Sequence, residues 1–327
     1  MKIGWLTSTT GCFGAVREMV EVSNSLTRLG HECTIYSESG DKISWLPYAG
    51  QVGTFADAAH AKDDVLILLN DWKRKWLDAF MAAAPRLRCV CVMGFDPTME
   101  LGEILRGDVL TVASDLRLMR EALQLPGVLV LADSSWQIEW LTKEIGVTCG
   151  PPIGGVNVEQ FHPCAVKREP LPLRILATGD PRGRKGSAVV RRAVELVQKK
   201  LKPIIFDTYW GKRVPQARLA EWYSGGDVFL DAERRAGWCN PVAEAMACGV
   251  ACVSTDIGAV HDFAIENETA LLAPVDDAEA MAKAALSLLM DREKRQRLAA
   301  AGVARMQQFS YDLVAQRLEQ AMEERLA

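Results

Sequence analysis

The chain has 327 residues, more than one ordinary α/β core holds, and its length points to about two domains. Hydrophobic residues make up 49% and charged residues 24%, which excludes a disordered chain, and a formal net charge of -4 excludes a global basic field for nucleic acid. No apolar run reaches membrane-spanning length, and the opening MKIGWLTSTTGCFG reads as a strand and its loop rather than a secretory signal, so a cytoplasmic protein is expected.

In chain order, Lys2–Thr7 is the first expected strand and Glu18–Leu29 has helical spacing, closed by Gly30-His31. Glu32–Tyr36, Val65–Leu69, Leu87–Met93, Val109–Ala113 and Val128–Ala132 are further expected strands. Strands alternating with helical segments at this rhythm give a parallel sheet covered by helices on both faces. Cys149-Gly-Pro-Pro-Ile-Gly-Gly then reads as a linker. A second β-α series follows, with strands expected at Leu173–Thr178, Pro203–Phe206, Val228–Leu230, Val250–Ser254 and Leu271–Ala273. From Asp277 onward the pattern is helical, interrupted near Phe309-Ser310. Two Rossmann-like halves make a cleft, and ligands of such sheets bind at the carboxyl ends of the strands.

The nine cysteines are odd in number and several sit in apolar runs, as reduced, buried thiols do. Cys89-Val-Cys91 and Cys248-Gly-Val-Ala-Cys252 lack zinc-knuckle spacing, so no metal site is expected.

Three segments carry chemistry. In Ala236-Gly-Trp-Cys-Asn-Pro-Val-Ala-Glu-Ala-Met-Ala-Cys-Gly249, Asn240 suits an N-cap and Pro241 the first helical position. A helix start there offers backbone N–H groups to a phosphate. Glu244 beside it either accepts hydrogen bonds from a diol such as ribose or complements the helix dipole. In Gly179-Asp-Pro-Arg-Gly-Arg-Lys-Gly186, Arg182, Arg184 and Lys185 stand among glycines between a strand and a helix, which fits either a diphosphate site or a solvated basic turn. Thr9-Thr-Gly-Cys-Phe-Gly-Ala15, with Gly11 and Gly14, is a glycine loop after the first strand, a feature that any tight β-α turn shares.

The Ala236–Gly249 stretch resembles the signature of retaining GT-B glycosyltransferases of family four, Glu-Gly-Phe-Gly-x-x-x-x-Glu-Ala-Met-Ala-x-Gly. Ser254–Asp262, Glu266–Pro274, Gly155–Pro163 and the Phe309-Ser-Tyr-Asp-Leu-Val-Ala segment resemble further family segments in the family's order. The resemblance covers about residues 150–327 and is weak before that. It implies a GT-B fold of two Rossmann-like domains, 1–155 on the acceptor side and 156–308 holding a nucleotide sugar, with 309–327 packing back on the first. It implies sugar transfer from a nucleotide-sugar donor with retention, no cofactor and no catalytic metal. Glu244 falls on the glutamate that holds the ribose. Lys185 falls on the lysine that offsets the diphosphate's charge, and Asp180 stands where an arginine is usual, so Arg182 or Arg184 takes that part. Asn240, Pro241, Val242, Gly237, Trp238, Gly11 and Gly14 would border the donor.

Besides Asp180, two departures stand out. Ala236 replaces the first signature glutamate, which points to a deoxysugar donor, to Glu233 reaching in from the same loop, or to a site without activity. The family's N-domain histidine is missing, and Asp96 is the nearest polar residue, either lining the cleft or forming a turn before Pro97. Of the four histidines, His31, His60 and His162 read as structural or loop residues, and His261 follows a glycine loop without the marks of a catalytic base. Asp71-Trp-Lys-Arg-Lys-Trp76 suits either a weak peripheral membrane contact, as a lipid-linked acceptor would need, or a solvated helix start anchored by tryptophans. The acceptor is unidentified. The other readings are a catalytically silent GT-B protein that binds a nucleotide sugar or supports a partner enzyme, and a nicotinamide oxidoreductase, which lacks the expected Gly-x-Gly-x-x-Gly.

Overall fold

The computed structural model describes residues 1–69, 73–93, 110–167 and 169–327, with the side chains of 110–116 left aside. The chain forms two units: one of Met1–Gly154 with Tyr311–Ala327, the other of Gly155–Ser310.

The first unit holds a six-stranded sheet in the order β3-β2-β1-β4-β5-β6, with β1 Lys2–Thr7, β2 Glu32–Ser37, β3 Gln51–Thr54, β4 Val65–Leu69, β5 Leu87–Val92 and β6 Leu129–Ala132. Every pairing is parallel. Five consecutive buried apolar residues make β4, the pattern of a strand covered on both faces. On one face, Met19, Val20 and Leu26 of helix α1 (Gly14–Arg28) pack on Ile3, Trp5, Ile35 and Ile67. Val314, Leu318 and Met322 of the C-terminal helix, Tyr311–Leu326, join the same cluster. Arg28 Nη2 and Asp312 Oδ1, 2.5 Å apart, link the two helices at the surface. The other face is covered by Trp76, Leu77 and Phe80 of α3 (Arg74–Ala82) and by Met119 and Leu123.

The second unit holds five parallel strands in the order β11-β10-β9-β7-β8, with β7 Leu173–Ala177, β8 Ile204–Thr208, β9 Val228–Asp231, β10 Ala251–Thr255 and β11 Leu271–Ala273. The chain leaves β7 for β8 on one side, then returns to lay β9 on the other. The carboxyl ends of β7 and β9 therefore border the topological switch point of this sheet, where such folds open a crevice.

Most expected strands are present within a residue or two. One is not: of the strand expected at Val109–Ala113, Val109 lies outside the described residues and helix Leu110–Leu123 runs through the rest. A short, mostly apolar run does not separate strand from helix, and the helix continues for ten residues beyond it. Strand β3 was not anticipated, because Gln51-Val-Gly-Thr54 has one apolar side chain and no buried face. All nine cysteines are free thiols, six of them buried. His31 is buried, with its Nε2 2.7 Å from Glu319 Oε1, a structural role.

Candidate donor site in the second unit

The loop after β7 carries Asp180, Arg182, Arg184 and Lys185, and the loop after β9 carries Asp231, Glu233, Ala236 and Cys239. The two loops interlock. Arg234 N donates to Arg184 O at 2.7 Å and its guanidinium to Gly183 O at 3.0 Å. Gly186 has φ +62, and a Cβ there would lie 1.9 Å from Ala232 O, so only glycine permits this approach. The loops thus bring the cations to the switch point.

Each cation has a carboxylate. Lys185 Nζ is 2.5 Å from Glu233 Oε2 and Arg184 Nη1 is 2.7 Å from Glu233 Oε1. Arg182 Nε donates to both oxygens of Asp180 at 3.0 Å, and its backbone N–H donates to Oδ1 at 3.0 Å. Lys185 is 12% exposed, Arg184 38% and Arg182 49%, so the guanidiniums face solvent while Glu233 is fully enclosed. Burial works to raise Asp180's carboxyl, but the Arg182 bonds outweigh it and hold it below the ordinary carboxylate range. Burial raises Glu233 above its usual value, with Lys185 pulling against this and Asp231 adding to it. Burial likewise raises Asp231.

Glu233, one alternative for meeting the donor sugar's hydroxyls in place of Ala236, is instead fully enclosed and paired with Arg184 and Lys185. Asp231, Glu233 and Cys239 also place three ligand atoms within 4.8 Å of one another, a grouping that motif spacing did not reveal. The Cys239 thiol, kept protonated by burial and two neighbouring carboxylates, donates to Asp231 Oδ2 at 3.5 Å. The Lys185 ammonium already supplies positive charge at this group.

Glu244 sits on helix α9, Asn240–Ala247. It is 4% exposed, and its Oε2 accepts from the Tyr223 hydroxyl at 2.9 Å. Burial, then the Glu244 charge, keeps Tyr223 well above the usual tyrosine range, hence a donor. Three expectations about this helix need correction. Its N-cap is Cys239, without a side-chain cap bond, and not Asn240. Pro241 has no N–H, and Val242 N–H already donates to Cys239 O at 3.1 Å, so Asn240–Val242 does not form a row of open donors. Trp238 is 5% exposed, packs its ring on Phe263 and Phe309, and donates to Gly155 O at 3.1 Å, so it supports the loop from inside. Gly237 is buried beside it.

In the first unit, Gly11 N donates to Thr9 Oγ1 at 3.0 Å and Gly14 opens α1. The segment ending at Trp76 places Trp76 in the core against Phe55, while Arg74 pairs with Glu121 and Lys75 with Glu38. Asp71, Trp72 and Asp96 lie outside the described residues. His261 is exposed, with Nε2 2.7 Å from Asp256 Oδ1. No described helix is long and apolar enough to cross a membrane.

Residues 157–291 match the model of the family Glycosyl transferases group 1. This stretch is similar to group 1 glycosyltransferases. The lipopolysaccharide core biosynthesis mannosyltransferase LpsB of Rhizobium meliloti is 36% identical over 89 residues, which is 27% of this chain and 25% of the relative. A GDP-mannose-dependent alpha-mannosyltransferase of Mycolicibacterium smegmatis is 36% identical over 84 residues, 26% of this chain and 22% of the relative. The matched stretches thus span about a quarter of these relatives. Among solved structures, the sucrose-phosphate synthase from Thermosynechococcus elongatus has a TM-score of 0.75 at 16% identity, covering 99% of this chain and 98% of that one. Anabaena Alr3699/HepE in complex with UDP has a TM-score of 0.69 at 13% identity, covering 99% and 100%. The fold is therefore GT-B, two Rossmann-like units.

Proposed function

We propose that the chain is a glycosyltransferase that takes its sugar from a nucleoside diphosphate sugar, with retention at the anomeric carbon. The observation that carries this reading is the cluster of Arg182, Arg184 and Lys185 at the switch point of a unit similar to group 1 glycosyltransferases. The diphosphate would take hydrogen bonds from the two solvent-facing guanidiniums, and Lys185 would add charge from behind. Positive charge fixed in place before reaction stabilises the leaving group as its charge develops. Glu244, held by Tyr223, would receive the ribose. HepE was solved with UDP and with UDP-glucose, and the mycobacterial relative is named for GDP-mannose, so both bases belong in the trial.

No metal or cofactor is required by this reading, because protein cations take the part of a metal at the diphosphate. Ala236 offers a methyl group where a carboxylate would meet sugar hydroxyls, and Glu233 is enclosed by its cations, so a donor with a missing hydroxyl, a deoxyhexose, fits best. A buried sugar hydroxyl left without a partner costs about 1–3 kcal/mol.

The test is a panel of nucleoside diphosphates and their sugars, read first as thermal stabilisation and then as donor hydrolysis or transfer, with and without a chelator. Stabilisation by at least one nucleoside diphosphate and chelator-resistant turnover are expected. Binding with no hydrolysis or transfer from any donor would leave a silent nucleotide-sugar-binding protein. No binding at all would remove the reading.

A further inference from the structure

Resting on that reading, we infer that Trp210 is the stacking platform for the donor's nucleobase. Among the described tryptophans it alone is exposed, at 49%, whereas Trp5, Trp76 and Trp238 are buried. An indole left in water at a folded loop costs hydrophobic free energy that packing inward would recover. Its position is fixed, however. Trp210 N donates to Thr178 O at 3.0 Å, which ties the short helix Tyr209–Lys212 after β8 to the start of the basic loop after β7. Gly179, with φ +72, allows this closeness, since a Cβ there would lie 2.6 Å from Thr208 Cβ.

The surroundings of Trp210 match the parts of a nucleoside diphosphate. On one side, the Arg182 guanidinium carbon stands 5.7 Å from the indole centroid, so the ring borders the cations assigned to the diphosphate. On the other, its chain neighbour Tyr209 has its ring 6.3 Å from Tyr223, whose hydroxyl holds Glu244, the carboxylate assigned to the ribose. Tyr209 and Trp222 meet edge to face at 5.3 Å and brace the segment from beneath. One exposed, braced aromatic beside the diphosphate cation Arg182, and joined through Tyr209 and Tyr223 to the ribose carboxylate, is where a base has a face to lie on. Every base has a π-face, so stacking gives affinity with little choice between bases.

The experiment compares calorimetric binding of UDP, GDP and inorganic pyrophosphate to the full wild-type chain and to Trp210→Ala and Trp210→Phe. Trp210→Ala is expected to weaken both nucleoside diphosphates about tenfold, the scale of a lost base–aromatic stack, and to leave pyrophosphate within about twofold. Trp210→Phe is expected to recover most of the loss. Equal weakening of pyrophosphate would make Trp210 a prop for Arg182 and overturn the inference. Unchanged UDP and GDP binding in Trp210→Ala, with binding intact in the wild type, would overturn it while leaving the function reading in place. Failure of the wild type to bind any nucleoside diphosphate would remove the function reading itself, and this inference with it.

Discussion

Lys185 Nζ stands 2.5 Å from Glu233 Oε2, with the lysine 12% exposed and the glutamate not at all. A buried carboxylate is thus held by the cation that the proposed reaction needs for a diphosphate. On the proposed reading Lys185 would have two duties, to neutralise Glu233 and to offset the leaving group's charge, and they can be separated by mutation.

Lys185→Met removes the counter-charge and is expected to cost about 3–5 kcal/mol near pH 7, the scale of breaking one side of a buried pair. Burial already raises Glu233 above its ordinary value, and losing the Lys185 pull raises it further. A carboxyl raised in the folded state binds more protons there than in the unfolded chain. Stability then falls as pH climbs from the unfolded value toward the folded one, and recovers as pH drops into the ordinary carboxylate range. The cost of Lys185→Met should therefore shrink at lower pH, and the double variant Lys185→Met/Glu233→Gln should regain stability without regaining diphosphate affinity. Urea denaturation across pH with pyrophosphate calorimetry checks both. A pH-independent loss would show that Glu233 is not the group involved.

Gly186→Ala should destabilise the second unit. The left-handed backbone alone costs a side chain about 1–3 kcal/mol, and contact with Ala232 O adds to it. The interlock of the two loops should loosen, so pyrophosphate affinity should drop with stability. A change in stability below about 0.5 kcal/mol would mean that the loops separate without strain.

Tyr223→Phe removes the donor to Glu244 inside the core and should lower stability by about 1–3 kcal/mol. Glu244→Gln should weaken nucleoside diphosphates while leaving pyrophosphate unchanged, because only the ribose is affected. Equal nucleoside diphosphate affinity in wild type and Glu244→Gln would take Glu244 out of the site and leave it as a core residue.

Leu318→Ala tests whether the C-terminal helix belongs to the first unit's core. Leu318 is fully buried among Val314, Met322, Met19 and Leu26. Truncation there should cost about 2–5 kcal/mol in the denaturation of the first unit. A loss under about 1 kcal/mol would show the helix to be loosely docked.

By itself the sequence determined the two parallel sheets, because buried strands are short, mostly apolar runs with turn signals between them, as in Val65–Leu69 and Ala251–Thr255. Local pattern also marked Lys185, Arg182, Arg184 and Glu244 as candidates, and the family resemblance set a donor site above a solvated basic turn and a dipole-complementing glutamate. Strand β3 and the helix over Leu110–Leu123 escaped it, one for lack of an apolar face and the other because a short apolar run suits both periods. Only the tertiary structure decided the partners. Glu233 lies 48 residues from Lys185, and Tyr223 lies 21 from Glu244. Which carboxylate meets which cation depends on sheet order, here the return of the chain to place β9 beside β7. Burial decided the rest: it turned Trp238 from an expected donor contact into a core side chain and left Trp210 at the surface. Local spacing records which side a residue faces within its own element, but exposure depends on what the other elements cover.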